Sequence, residues 1–354
     1  MNHENGNPKV TSPLLAAPSR PETSRGIQVR TFLGELPLAM LVLALLLGVV
    51  YLFSGDSFTL NTLAAALLFA GLSSAWNIIG GFGGQFSLAH SVFFAVGAYT
   101  TANLYMKLGV SPWLGLIPAA ALAAGVACVL SWPVFRLRGP FFAIATMAFT
   151  EVALALGNYM EWATGGTRGM SIPFRLGLAN MIFRDRFSYA LLMLGFVAFC
   201  LIIVIAIKRS RLGYYLQAVR DNEQAARAAG IDVLRVKLLG MAISAALTGI
   251  GGGLFIMQVR VADPAALLSL FDFGVKFALI ALIGGLGTIY GPILGALLVI
   301  PLESWLRAEL GGLLPGANLI ALSVCLILAS LFMKHGIVGA AGRLVVLADR
   351  RWRR

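Results

Sequence analysis

SYALLMLGFVAFCLIIVIAI (Ser188–Ile207), KRSRLGYYLQAVRDNEQAARAAGIDVLRVK (Lys208–Lys237) and LLGMAISAALTGIGGGLFIMQ (Leu238–Gln258) follow one another without a break. Each flanking segment has the length of a helix that crosses the hydrocarbon core, about 20 mostly apolar residues. The charged segment between them must therefore lie in water on one side of a membrane. It does not read as a slack linker. From Tyr215 to Ala229 it is rich in Ala, Gln, Glu, Leu and Arg, all good helix formers. Asp221 with Gln224 three residues on has the form of a capping box, and Gly230 stands where a C′ glycine would end the helix. The pattern predicts a short capped helix on the face of a membrane protein, which suggests a docking element.

The rest of the chain has the character of the two flanks. Of its 354 residues 59% are hydrophobic and 12% charged, with a mean hydropathy of +0.86, whereas soluble proteins carry roughly 25% charged residues. Ten apolar runs are candidate spans: Leu36–Phe53, Leu60–Ile79, Phe86–Met106, Pro112–Phe135, Pro140–Tyr159, Ser188–Ile207, Leu238–Gln258, Gly274–Ile289, Gly291–Leu306 and Asn318–Met333. The pair between Gly274 and Leu306 is short and glycine-broken, so a count of eight or nine stays open. None shows the alternation of a barrel strand. The expected fold is an all-α polytopic membrane protein with about 8–10 transmembrane helices. Residues 1–35, polar and without an early apolar run, read as a disordered cytoplasmic tail and not a cleaved signal peptide. Residues 36–333 form the transmembrane domain with the cytoplasmic loop 208–237, and 334–354 form a basic cytoplasmic tail.

The net charge of +12 is sorted by side and does not point to nucleic acid. With the N-terminus in the cytoplasm and ten alternating spans, nineteen of the 27 basic residues fall on the cytoplasmic side and seven outside, with Lys276 inside a span. This is the positive-inside pattern, and it places both termini and the charged loop in the cytoplasm. The basic C-terminal tail reads as a topology signal and a membrane-lipid headgroup anchor.

Enzyme chemistry has little to stand on. The chain holds no Gly-Lys dipeptide, so a Walker A loop is excluded. His3, His90 and His335 lie far apart and no HExxH occurs, which argues against zinc. Cys128, Cys200 and Cys325 sit singly in apolar runs and read as packing residues. No cofactor is expected. GGFGGQF (Gly80–Phe86) lacks the GxGxxG register and a preceding strand, so it reads as close helix packing or a broken helix. A similar pattern, GGLGTIY, recurs at Gly284–Tyr290 between two spans. Such an echo would fit two related halves of a transporter.

Four segments together resemble the permease subunits of branched-chain amino acid ABC importers, the LivM-type branch. They are NIIGGFGGQFSLAHSVFFAVGAYTTANL (Asn77–Leu104), RLRGPFFAIATMAFTEV (Arg136–Val152), TGGTRGMSIP (Thr164–Pro173) and SRLGYYLQAVRDNEQAARAAGI (Ser210–Ile231). The resemblance spans about Leu60 to Leu306. One mild departure is Ala89-His90, where the family pattern often has Gly-His. The resemblance implies a transport subunit without its own ATPase site, in a bacterial inner membrane. It also implies separate cytoplasmic ATPase subunits, a second homologous permease and an extracytoplasmic solute-binding protein. EQAARAAGI (Glu223–Ile231) matches the EAA-type loop, which implies a coupling helix seated in a groove on an ATPase. The residues so marked are Asp221, Glu223, Ala225, Ala226, Arg227, Gly230 and Ile231. Glu223 and Arg227, spaced i,i+4, can pair with each other or with the partner.

Candidate path residues come from polarity inside spans. Glu151 lies mid-span, where an ionised side chain costs at least ~2.5 kcal/mol, so it must face a partner, a cavity or a broken helix end. Lining of the path and a packing hydrogen bond are both open readings. Asn158 lies one face along at i+7. Ser87 and His90 sit beside the glycine break, where freed backbone groups could line a cavity; a helix-end packing role is the alternative for His90. Lys276, near the start of its span, could snorkel outward or meet solute. The competing function is a stand-alone secondary transporter or channel, which would need buried acid–base relays beyond Glu151 and Lys276. Solute identity is not legible in the spans.

Overall fold

The computed structural model describes residues 24–137 and 139–310, with 320, 323–324 and 336–339, and side chains from residue 37 onward. The first 23 residues, the expected span Asn318–Met333 and the basic tail lie essentially outside the described residues. The described chain is mainly α-helical and holds one two-residue strand pair, Met170–Ser171 (β1) against Val261–Ala262 (β2), antiparallel. The helix α1 runs Ser24–Leu52, so helical backbone begins ahead of the boundary expected at Leu36.

Then come α2 (Ser57–Asn77), a π-helical turn Ile78–Phe82, α3 (His90–Leu108), α4 (Pro112–Val134), α5 (Pro140–Tyr159) and the short α6 (Glu161–Thr164). The second half holds α7 (Arg186–Lys208), α8 (Arg211–Asp221), α9 (Glu223–Ala228), α10 (Val233–Val259), α11 (Pro264–Leu267), a π-helical stretch Leu270–Val275, α12 (Lys276–Gly284) and α13 (Gly291–Leu310). Among the described residues six helices are long and apolar enough to cross a membrane: Ser57–Phe82, Pro112–Val134, Pro140–Tyr159, Arg186–Lys208, Val233–Val259 and Pro264–Gly284. Pro37–Leu52 is a shorter apolar helix. Two expected boundaries move. The run from Phe86 becomes helical only at His90, because residues 83–89 leave the helix, and the span expected at Gly274–Ile289 is displaced to Pro264–Gly284.

The core is built around α2 and α10. The helix α10 packs on α3 and α4, and α2 lies against α7 and α13. Close approach explains the glycines of α10: a β-carbon at Gly252 would collide with Phe94 O of α3, and one at Gly97 with Gly249 O. This is the small-residue packing that brings membrane helices together. Phe69, Phe94, Phe273 and Phe277 cluster where α2, α3, the π-helical stretch and α12 meet; Phe273 stacks on Phe69 and on Phe94, the latter with centroids 4.4 Å apart, and Phe277 meets Phe273 edge-on. By contrast α5 is peripheral and exposes most of its length, from Phe141 to Tyr159.

Candidate functional site

The charged loop folds as two helices, not one. The chain breaks at Asn222, whose backbone is extended (φ −158°) and whose Oδ1 accepts from the amides of Gln224 and Ala225, each at 3.0 Å. Asn222 is therefore the N-cap of α9, and the expected Asp221–Gln224 capping box is corrected. Asp221 closes α8 instead, accepting from Arg220 Nε at 3.1 Å. An asparagine oxygen reaches the free first-turn amides of a helix as well as an aspartate does, so the cap shifts by one residue.

The far end of α9 follows the sequence pattern. Gly230 adopts φ +82°, its N–H donates to Arg227 O at 3.0 Å, and Ile231 N–H donates to Ala226 O at 3.0 Å. This bond pair is a Schellman stop, which glycine permits without strain at a left-handed position. Ala226 turns inward and is buried, whereas Ala225, Ala228, Ala229 and Gly230 are exposed and form a flat outward face.

The orientation of α9 is held by charge. Glu223 Oε1 accepts from Arg227 at 2.7 Å and Oε2 accepts from Lys237 Nζ at 2.9 Å. The Lys237 side chain, at the root of α10, is only 3% exposed and also lies 5.8 Å from the Phe135 ring centroid. Partial burial would push the Glu223 carboxyl up, but its hydrogen bonds and the charges of Lys237 and Arg227 outweigh that and hold it below the usual carboxylate value.

The glycine break lies directly beneath α8. Trp76, fully buried, donates from Nε1 to Ser87 O at 2.7 Å, folding the 83–89 segment back over α2. From the other side α5 grips the same segment, with Leu88 N–H donating to Thr146 Oγ1 at 3.1 Å. The two glycine segments meet: Asn77 Nδ2 donates to Thr288 O at 2.8 Å, and Gly287 N–H donates to Asn77 Oδ1 at 2.9 Å.

The expected path residues separate into two places. Ser87 and His90 are completely enclosed. His90 Nε2 lies 2.9 Å from Ser244 Oγ, which itself donates to Ala75 O at 2.7 Å, so the imidazole ties α3 to α10 and α2. Because the single hydroxyl hydrogen is used on Ala75, Nε2 is the donor to Ser244. Glu151 stands on the outer face of α5, opposite the buried Thr146 and Thr150. Asn158 is half-buried near the end of the same helix. An almost wholly apolar groove of about 750 Å³ between α3, α4 and α5 is lined by residues such as Val96, Tyr99, Val126 and Phe149, and includes neither Glu151 nor His90.

Lys276 corrects the snorkelling expectation. Its Nζ, only partly buried, lies 3.1 Å from Glu303 Oε1, 3.9 Å from Asp272 Oδ1 and 5.5 Å from the Phe69 ring centroid, while Arg307 adds a second bond to Glu303 at 2.9 Å. Sequence reading also passed over Asn77, Arg220 and Lys237 as site residues. Only the coincidence of two glycine segments hinted at Asn77, and no local pattern marked the other two.

A family model described as branched-chain amino acid transport system / permease component matches residues 58–332. The chain is 29% identical over 292 residues to the high-affinity branched-chain amino acid transport system permease protein LivM of Escherichia coli K12, covering 75% of this chain and 68% of that protein. It is 29% identical over 282 residues to LivM of Salmonella typhimurium, covering 73% of this chain and 65% of that protein. With the corresponding LivH of Escherichia coli K12 it shares 26% identity over 290 residues, 77% of this chain and 91% of that protein. It thus spans about two thirds of the length of these LivM relatives. No solved structure matches the chain. This multi-pass helical bundle, matched over most of its length by one family model, belongs to the permease components of branched-chain amino acid transport systems.

Proposed function

We propose that this chain is the translocating subunit of an ABC importer in a bacterial inner membrane, moving branched-chain amino acids or a related small polar solute inward. Both termini and the α8–α9 loop are cytoplasmic in this reading. The observation that carries it is α9 itself: an alanine face turned outward, capped at both ends and fixed to the membrane bundle through Glu223 and Lys237. Such a face suits a groove on a separate ATPase subunit, which admits small side chains at close approach. ATP hydrolysis on that partner would bias two states of the permease.

The solute path is assigned to the outer face of α5, against a second homologous permease, with Glu151 at its middle and Asn158 toward its outer end. In an isolated chain Glu151 would face lipid, at a cost of at least ~2.5 kcal/mol, and a facing subunit or a wet path removes that cost. Ser87 and His90 would border the path once the 83–89 segment moves. An extracytoplasmic binding protein would deliver the solute to the outer loops. The test is ATP hydrolysis by the reconstituted complex, screened with leucine, isoleucine, valine, other amino acids, amides and urea. Stimulation by a branched-chain amino acid is expected; hydrolysis indifferent to all of them would overturn the reading.

A further inference from the structure

We infer that Arg220 is the positioning residue that transmits the state of the coupling loop to the broken helices of the membrane domain. The inference rests on the importer reading and assigns how its cytoplasmic loop acts on the bundle. Three features place Arg220 at that junction. Its Nη1 donates to Gly81 O at 3.0 Å, a carbonyl in the π-helical turn that ends α2. Asp221 holds the other edge of the guanidinium, 3.1 Å from Nε and 3.0 Å from Nη2, so the fork is aimed before it reaches the turn. On the far side the same Nη1 lies over Gly287, where any β-carbon would press on it at 3.1 Å.

Gly81 and Gly287 belong to the two separate glycine segments, and Asn77 bonds both Gly287 N and Thr288 O across the join. Arg220 therefore touches a place where the end of α2 and the α12–α13 connection are bonded together. The helix that carries it is seated there as well. Leu216, fully buried, fills the notch between Gly83 and Gly240, with β-carbon positions of those glycines 3.2 Å and 3.0 Å from its Cδ2. A tilt of α8 and α9 on an ATPase would move Leu216 and the guanidinium together. The Gly81 carbonyl lies in a π turn, a helical geometry found mostly as single turns and often at functional sites. Guanidinium geometry matters because one planar group must face Asp221 and Gly81 O at once.

The experiment uses the chain co-expressed with its ATPases, with Cys128, Cys200 and Cys325 replaced by serine or alanine and Gln85→Cys introduced beside the junction. Maleimide labelling of that cysteine is followed with and without ATP plus vanadate. In the Arg220 chain the trapped nucleotide should change the labelling rate several-fold. In Arg220→Gln the change should vanish, although the ATPases co-purify at the normal ratio and basal hydrolysis persists. Arg220→Lys, which restores one donor, should recover part of the response. Loss of the ATPases from Arg220→Gln would make Arg220 a docking residue and overturn the inference. A nucleotide response equal in Arg220→Gln, or absent from the Arg220 chain with its ATPases bound, would overturn it too. Failure of any ATPase to co-purify with the unaltered chain would instead overturn the importer reading, and this inference with it.

Discussion

The carboxylate of Glu223 and the ammonium of Lys237 meet at 2.9 Å, joining the six-residue helix α9 to the root of α10, with Lys237 enclosed. An isolated helix this short is unstable in water, so its caps and this pair supply much of its order. Glu223→Gln would leave Lys237 without its counter-charge, at a cost of about 1–3 kcal/mol. Faster amide exchange over Ala226–Ile231 and weaker ATPase retention are expected at an unchanged permease level. The pH dependence has a definite sign. The Glu223 pKa is depressed in the folded chain, so its contribution is complete above the ordinary carboxylate value of ~4.3 and fades as pH falls through the lower folded value. Exchange protection of α9 should be flat from neutral pH to well into the acid range and fall only below that point. A decline beginning near neutrality would assign the control to another group.

Lys276 and Glu303 form a second tie, 3.1 Å apart between α12 and α13. Removing Glu303 takes away the nearer counter-charge of Lys276 and leaves it the more distant Asp272 carboxylate, at 3.9 Å. Glu303→Ala should lower the stability of the purified permease by about 3 kcal/mol, and replacing both with apolar residues, Lys276→Met with Glu303→Leu, should restore most of it. Thermal midpoints in detergent distinguish these outcomes. Equal losses in the single and double variants would mean that the pair has a role beyond mutual neutralisation.

Topology is testable at the segment after α6. Gly165 is a poor place for a probe, because its φ of +77° and the nearby Gly169 carbonyl leave no room for a β-carbon. Arg175 is exposed and serves instead. Arg175→Cys should react with an impermeant maleimide in intact cells with a permeabilised outer membrane. Reaction only after lysis would invert the proposed orientation.

The broad architecture was legible because it rests on local chemistry: apolar runs of membrane length, and glycine where a helix stops at φ +82°. The break at Asn222 was not, since good helix formers stand on both sides and the decision lies with one amide oxygen. Lys276 was misplaced for a different reason. Its partner Glu303 lies 27 residues away on another helix, and no periodicity within one span carries that contact. Arg220 and Gly81, 139 residues apart, are hidden in the same way. Glycine patterns marked where the backbone breaks but not what fills the break.

Glu151 separates a path role from a packing role. On the exposed face of α5 it has no hydrogen bond or ion pair among the described residues. Glu151→Gln keeps its size and removes its charge. Reduced solute uptake with a normal amount of assembled complex is expected. Failure to assemble would assign the carboxylate to the permease–permease contact instead, and normal uptake in Glu151→Ala would remove it from both roles.

The proposed coupling role of α9 is tested most directly at Ala226. Its N–H donates to Asn222 O at 3.0 Å and its carbonyl accepts from Ile231 N–H at the Schellman stop. Ala226→Pro deletes the first bond and drives the ring into the preceding turn, at roughly 3 kcal/mol, which exceeds what so short a helix can absorb. A bulky charged side chain at Gly230, as in Gly230→Glu, strains the same stop from the other side, because only glycine adopts its φ freely. Both positions lie outside the apolar helices, so insertion of the bundle should be unaffected. The expected result is permease at its normal level in the membrane, with its ATPases lost on purification and uptake abolished. A full complement of ATPase and undiminished uptake in Ala226→Pro would mean that α9 does not bear the load between the two proteins. The Glu223–Lys237 tie would then serve only to close the loop over the end of α10.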